Sequence, residues 1–244
     1  MKKTIEEHAA RFSDAAADYD ESQDSEAYRA CANLVIDHAE PTDEDVVLDL
    51  GTGTGAIALA LAPTAKRVVG RDVSEGMLER AREKAEREGI DDVEFGEGRF
   101  RDPNYDGEVD TGSSQTPRAD AHGARVDVAV SNFAMHHLSD EEKREAISVV
   151  ADLDPRRFVL GDLMFFGEPD PEEPFYSPEV DDPATVGTLA DALTDEGFVL
   201  TAVERVHDQV GVLVAERFGD VVERSSTAHQ MKSGDASDRL PVDE

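Results

Sequence analysis

The sequence predicts an α/β protein: a doubly wound, mostly parallel, seven-stranded sheet closed by a C-terminal antiparallel β-hairpin. Three observations carry this. Short apolar runs alternate with helix-like segments from Val46 onward. Three glycines, Gly51, Gly53 and Gly55, occupy alternate positions between the first apolar run and the helical run after it. The last two strand-like runs, residues 198–206 and 210–218, are separated by residues 207–209 alone. So short a link permits a hairpin and no helical crossover.

The elements follow in order. Residues 5–17 and 24–39 read as two helices, with Ala, Leu, Val and Ile at helical spacing. "VVLDL" (46–50) is a short buried strand, and the helix after it runs from Ala56 to a stop at Pro63. "RVVGRDV" (67–73) is the second strand. Ser74 caps the next helix, which carries Met77, Leu78, Ala81 and Ala85 on one face and stops at Gly89. "VEFGEG" is the third strand and "RVDVAVSNF" (125–133) the fourth. Ser139 and Glu142 form a capping box for a helix reaching Leu153. "RFVLGDLMF" is the fifth strand. Asp182 and Pro183 open a helix with Val186, Leu189, Ala190 and Leu193 on one face, ended by Gly197.

Three segments fall outside the alternation. Residues 1–40 form a helical segment ahead of the main domain, 41–218. Residues 107–123 are polar and aperiodic and read as an insertion loop. Residues 219–244 read as a disordered acidic tail.

Composition bounds the function. Asp and Glu number 56 against 24 Lys and Arg, a formal net charge of -32. The acid is scattered through the chain rather than confined to one tail, which fits adaptation to very high salt, where screening weakens self-repulsion. No basic stripe is visible, so a nucleic-acid partner is disfavoured. The single cysteine, Cys31, excludes an internal disulfide framework and points to a reducing compartment. No apolar stretch spans a bilayer, and "MKKTIEEHAARFSD" lacks the apolar core of a secretory signal. The expectation is a cytoplasmic protein with no membrane partner.

Alternate glycines let a backbone pass very close to a ligand or take turns that strain other residues. "GTGTGA" matches a variant of the dinucleotide fingerprint, and Asp72 follows at about the separation of a ribose contact. An NAD(P)-dependent oxidoreductase is therefore one reading. Three features oppose it: Asp49 two residues before the first glycine, a third glycine at position 55, and the terminal hairpin in place of a second mononucleotide-binding half.

Together these residues resemble the class I S-adenosylmethionine-dependent methyltransferases, whose Rossmann-like fold has the same strand order and terminal hairpin. "LDLGTGTG" resembles that family's first motif. "VVGRDVSEGMLERARE" resembles its second region, a strand ending in an acid and followed by a helix. "SNFAMHHLSDEEKREAI" resembles the fourth-strand segment of its small-molecule branch, which includes quinone-biosynthesis-type enzymes. The resemblance covers about residues 40 to 217.

The resemblance implies S-adenosylmethionine as cofactor and a small-molecule acceptor. Gly51, Gly53 and Gly55 would admit the methionine–ribose portion. Asp49 suits the ammonium, and Asp72, acceptor-only when ionised, suits the ribose diol. Val73 and Met77 could touch the adenine, and Ser131 and Asn132 would contact the cofactor. Tyr19, in "FSDAAADYDES", corresponds to a lid tyrosine closing over the cofactor. Two departures stand out. Arg71 sits at the end of the second strand, where the family has an apolar residue. Arg99 stands where many relatives have an aspartate facing the adenine amino group, so adenine recognition falls to backbone groups, Phe100 or Asp102.

Methyl transfer needs alignment and exclusion of water more than acid–base chemistry. For a hydroxyl or amine acceptor, a base helps, and His136 and His137 follow the fourth strand, where this fold places its acceptor. No histidine or cysteine pair has helical or C-x-x-C ligand spacing, so the sequence implies no metal. The absence of an N-P-P-Y segment weakens an amide- or base-amino-methylating role. A non-catalytic adenosyl-binding protein is the remaining alternative.

Overall fold

The structure, a computed structural model, describes residues 5–17, 19, 25–105, 125–168 and 175–217. Strands β1 (Val46–Leu50), β2 (Arg67–Asp72), β3 (Val93–Glu97), β4 (Val128–Asn132), β5 (Arg157–Phe165), β7 (Phe198–His207) and β8 (Val210–Arg217) form one sheet in the order β3-β2-β1-β4-β5-β8-β7. β1 to β5 run parallel, while β8 pairs antiparallel with both β5 and β7. A two-residue strand, β6 (Ala184–Thr185), pairs with the end of β5 outside this path.

Helices α1 (Ile5–Ala15), α2 (Glu26–Ala39), α3 (Ala56–Leu61), α4 (Glu75–Glu88), α5 (Asp140–Asp152) and α6 (Val186–Asp195) flank the sheet. Two apolar cores result. One joins α2, α3 and α4 to the sheet through Val35, Ile57, Leu78 and Ala81; the other joins α5 and α6 through Ile147, Val150, Leu189 and Leu193. Coverage on both faces explains why β4 and β5 are near-continuous apolar runs rather than alternating ones. β7, at the edge, alternates between inward and outward residues.

Local signals set the helix ends. The Ser74 hydroxyl accepts the Met77 N–H, and Gly89 closes α4 in a left-handed conformation, φ +67°. Ser139 and Glu142 make both halves of a capping box on α5. The helix expected to open at Asp182–Pro183 begins instead at Val186, capped by the Thr185 hydroxyl. Pairing of Ala184 and Thr185 with β5 keeps the chain extended past Pro183 and delays the helix. The hairpin turn shrinks to Asp208 and Gln209. The predicted segments 107–123 and 219–244 lie outside the described residues.

Chain order places the site. From β1 the sheet grows outward to β2 and β3 on one side, and to β4 and β5 on the other. The loops leaving β1 and β4 diverge, which opens a crevice at the C-terminal ends of these strands. Among the described residues no helix is long and apolar enough to cross a membrane.

Candidate active site

The crevice holds a cavity of about 460 Å³. Its floor is the loop after β1. There the N–H groups of Gly51 and Thr52 donate to the Arg71 carbonyl at 2.8 and 3.0 Å, which folds the loop back over β2. Gly51 has φ +72°, and a Cβ there would lie 2.3 Å from the Ala134 Cβ, so no other residue fits between the two loops. Gly53 faces open space. Gly55 does not reach the cavity; a Cβ there would meet the Phe95 ring at 2.9 Å and Ala81 at 3.0 Å, so this glycine lets α3 pack close to α4 and β3.

Two carboxylates stand over this floor. Asp49 is 1% exposed and accepts the Thr52 hydroxyl at 2.7 Å. Burial pushes its carboxyl up to about 7, and the neighbouring charge of Asp72 adds to the rise. Asp72 accepts the Gly53 N–H on one oxygen and the Ser74 N–H on the other, both at 2.9 Å. Burial raises Asp72 as well, and the backbone donors oppose that rise without cancelling it. Neither acid has a basic side chain among the hydrogen-bond partners found for it. Each Asp72 oxygen keeps lone-pair capacity for another donor.

Val73, Met77, Phe100 and Leu138 form an apolar slot beside Asp72. Arg99 is tied into a tight turn, its N–H donating to the Asp102 carbonyl at 2.8 Å. Arg71, the unusual residue of β2, turns away from the cavity, and its guanidinium bonds the Glu94 carboxylate at 2.8 Å. Asn132 lines the cavity, whereas Ser131 is fully buried and does not. Neighbouring strand residues point to opposite faces, so only one of the two can look into the crevice.

α1 roofs the cavity through His8 and Phe12, and Tyr19 joins them in the wall. The Ser13 hydroxyl bonds the Ser74 hydroxyl at 2.9 Å and accepts the Gly76 N–H at 3.3 Å. The Phe12 ring meets Tyr19 edge-on and lies 5.4 Å from the His137 ring. His8 stands 5.2 Å from His137.

His137 and Phe133 lie between this cavity and a second one of about 630 Å³, lined also by Arg11, His136, Tyr176 and Asp181. Phe133 has φ +51°, a strained value for a bulky residue. His136 is buried, its Nδ1 2.5 Å from Asp162 Oδ1. His137 Nδ1 stands 3.0 Å from Asp181 Oδ1. Burial holds His137 below the ordinary imidazole value, against the pull of Asp181.

Residues 47–153 match the model of a methyltransferase domain. The chain is 34% identical over 121 residues to an uncharacterized methyltransferase of Bacillus pumilus, an alignment covering 49% of this chain and 47% of that protein. It is 32% identical over 131 residues to the uncharacterized methyltransferase YcgJ of Bacillus subtilis, covering 53% and 45%. The chain therefore spans about half the length of these curated relatives. The YcgJ crystal structure superposes with a TM-score of 0.55 at 24% identity, covering 72% of this chain and 71% of that one. The magnesium protoporphyrin IX methyltransferase of Synechocystis PCC 6803 with bound S-adenosylmethionine superposes with a TM-score of 0.53 at 21% identity, covering 78% and 77%. At these identities the superpositions speak to the fold.

The fold is the Rossmann-like fold of these methyltransferases.

The cavity suits S-adenosylmethionine, the molecule bound in the Synechocystis structure. Asp49, buried, and Asp72, half-buried, bond to no cationic side chain among the described residues, which suits a ligand that carries an ammonium and a sulfonium. The glycine loop admits its backbone-hugging portion, and the apolar slot suits a flat base. Asp49, Gly51, Gly53, Asp72, Val73, Met77, Phe100, Asn132, Tyr19 and His137 meet at this cavity, whereas Gly55, Ser131 and His136 do not. Thr52, His8, Phe133 and Ala134 line it too and drew no notice in the sequence; Thr52 and Ala134 sit inside quoted motifs, whereas His8 arrives from α1 with no motif to mark it.

Proposed function

We propose that the chain transfers the methyl group of S-adenosylmethionine to a small-molecule acceptor of the kind handled by the quinone-biosynthesis-like branch. The observation that carries this is the pairing of the acid-lined cavity with a second, aromatic-walled cavity across His137. In this reading Asp49 holds the ammonium and Asp72 the ribose diol, with the Gly53 N–H fixing the Asp72 rotamer. Val73, Met77 and Phe100 clasp the adenine, with Asp102 beside them. Bound there, the cofactor supplies an electrophilic methyl group. Phe12 and Tyr19 close over it as a lid and keep water out.

The acceptor enters the second cavity, where Phe133, Tyr176 and Phe175 give it flat apolar walls. His137 stands where the two cavities meet and is placed to take a proton from a hydroxyl or amine. A net charge of -32 favours a small molecule over a nucleic acid. The same charge supports an origin in a salt-rich cytoplasm.

The test is calorimetric titration of the purified chain, in molar salt, with S-adenosylmethionine, its demethylated product, NADH and NADPH. Both adenosyl compounds should bind and the nicotinamides should not. Tight nicotinamide binding with no response to the adenosyl compounds overturns the reading.

A further inference from the structure

Behind His137 lies an arrangement that methyl transfer does not require. His136 and His137 are adjacent in sequence, and Asp181 comes from the segment between β5 and β6. One ligand atom from each of the three lies within 4.8 Å of the others. His136 presents Nε2, since its Nδ1 is taken by Asp162 at 2.5 Å. That Nε2 is 3.8 Å from Asp181 Oδ1, and His137 Nδ1 is 3.0 Å from the same oxygen. Ligands bound to one zinc ion at 2.0–2.1 Å in a tetrahedron stand about 3.3 Å apart, midway between these two separations.

Further observations single the cluster out. His137 Nδ1 and Asp181 Oδ1 are buried and face each other, yet neither makes a well-directed hydrogen bond. The other Asp181 oxygen accepts the Ser177 N–H at 2.8 Å, which fixes the carboxylate with Oδ1 toward the two imidazoles. Asp162, 2% exposed, receives the His136 backbone N–H on one oxygen and faces the ring Nδ1 with the other. A carboxylate held behind a histidine in this way sets its tautomer and raises the basicity of the opposite nitrogen, as in carboxylate–histidine–metal triads. The supporting frame is rigid: the Asp182 N–H donates to the His136 carbonyl at 2.7 Å, and the Lys143 ammonium bridges the Leu138 and Asp182 carbonyls at 2.5 Å each.

We propose that His136 Nε2, His137 Nδ1 and Asp181 Oδ1 form a binding site for one divalent zinc-type cation, with Asp162 as the orienting carboxylate behind His136. Two imidazoles and one carboxylate leave a fourth position open, the pattern of reactive rather than purely structural zinc sites. The cluster borders the second cavity, so the open position faces the space in which the acceptor is placed. A hydroxyl of the acceptor, or a water, binding there would release its proton to solvent through the second cavity more readily than the free group does. The cation then replaces His137 as the group that favours the ionised acceptor; this last role rests on the proposed function, whereas the site itself does not.

The experiment uses the full chain, stripped with a chelator and held in molar potassium chloride to suppress binding at surface carboxylates. Zinc is titrated calorimetrically and cobalt by visible absorption, with magnesium as the control for carboxylate-only binding. One saturable equivalent of zinc is expected, with cobalt giving the intense visible bands of a four-coordinate ion and magnesium giving no saturable heat. Asp181→Asn and His137→Gln should each weaken zinc by about a hundredfold or more, and Asp162→Asn by about ten- to a hundredfold. Melting curves establish that each variant is folded. Imidazole resonances of the parent protein should shift on adding zinc, a readout that needs no variant. Absence of a saturable zinc site in the parent, or equal affinity in folded Asp181→Asn and His137→Gln, overturns the proposal. A parallel titration with the demethylated cofactor separates the two readings: zinc failing while the adenosyl compound binds removes only the metal site.

Discussion

The two ends of the sheet treat buried charge in opposite ways. At the N-terminal ends of the parallel strands, Arg157 is enclosed by Glu216, with Nε–Oε1 at 2.9 Å and Nη2–Oε1 at 2.5 Å, and by Glu40 at 2.6 Å. Beside it, Asp45 accepts from Arg156 at 2.8 Å. Burial works to raise the Asp45 carboxyl, but Arg156 and the Thr42 donors outweigh it and hold the carboxyl below its ordinary value. At the C-terminal ends, Asp49 and Asp72 are both raised. One edge has its compensating charges built in. The other is left to be compensated by what binds, so its electrostatics oppose folding and favour a cationic ligand.

The largest effect should come from the compensated edge. Arg157→Ala leaves Glu216 buried with a missing partner and should destabilise the chain by about 3–5 kcal/mol. A double change, Arg157→Met with Glu216→Leu, should recover most of that loss. Denaturant melts check both, and cofactor affinity should remain at the parent value. A loss of affinity in a folded Arg157→Ala variant would break the division between the edges.

Asp72→Ala tests the opposite edge. Hydrogen bonds to a charged group contribute about 1.5–3 kcal/mol, so binding of the cofactor and of its demethylated product should weaken by about ten- to a hundredfold. The melting midpoint should hold or rise, since Arg71 pairs with Glu94 rather than with Asp72. Calorimetry beside a melting curve reads both. Unchanged affinity in a folded variant would make Asp72 a bystander.

Asp49 sharpens the comparison through pH. Its carboxyl titrates near 7 in the folded chain against 3.8 ordinarily. The raised value favours the protonated folded form, so this stabilising contribution is whole below pH 3.8 and is lost as pH climbs to about 7. Cofactor affinity should run the other way, rising toward pH 7 and then levelling, because the ionised acid meets the ammonium. Asp49→Asn should flatten both profiles and raise the neutral-pH melting midpoint of the ligand-free chain. A parent affinity that is flat between pH 5 and 8 would refute this.

The smallest effect per residue concerns salt. The exposed acids repel one another throughout the chain, so the melting midpoint should rise from dilute buffer to molar potassium chloride. A midpoint unmoved by salt would remove the salt-adaptation reading.

What the sequence disclosed follows from the range of each signal. Ser74, Gly89 and the Ser139–Glu142 box are local, and the helix ends they mark lie where the sequence places them. The start of α6 was displaced by β6, a pairing with β5 that no nearby residue announces. In the site, Asp49, Gly51, Gly53 and Asp72 sit in short motifs whose spacing fixes their geometry. Gly55 shares the motif yet packs against Phe95, because a glycine needed for ligand approach and one needed for helix packing look alike in one dimension. Ser131 was paired with Asn132 without regard to the alternation of a strand. Asp181 lies far along the chain from His137 and meets it through tertiary contacts, the Asp182 N–H on the His136 carbonyl and the Lys143 ammonium on the Asp182 carbonyl.

Gly76 carries a kinetic consequence. A Cβ there would come within 2.8 Å of the Ser13 Cα, so α1 rests on the start of α4 backbone to backbone, latched by the Ser13 hydroxyl, which bonds the Ser74 hydroxyl and accepts the Gly76 N–H. A cover fitted this closely has a single seating. In the proposed function it lifts once per turnover to let a spent cofactor leave and a fresh one enter. A methyl group at position 76 is then a wedge under the lid: Gly76→Ala should shorten the residence time of the demethylated product, turning a packing contact into the clock of the catalytic cycle.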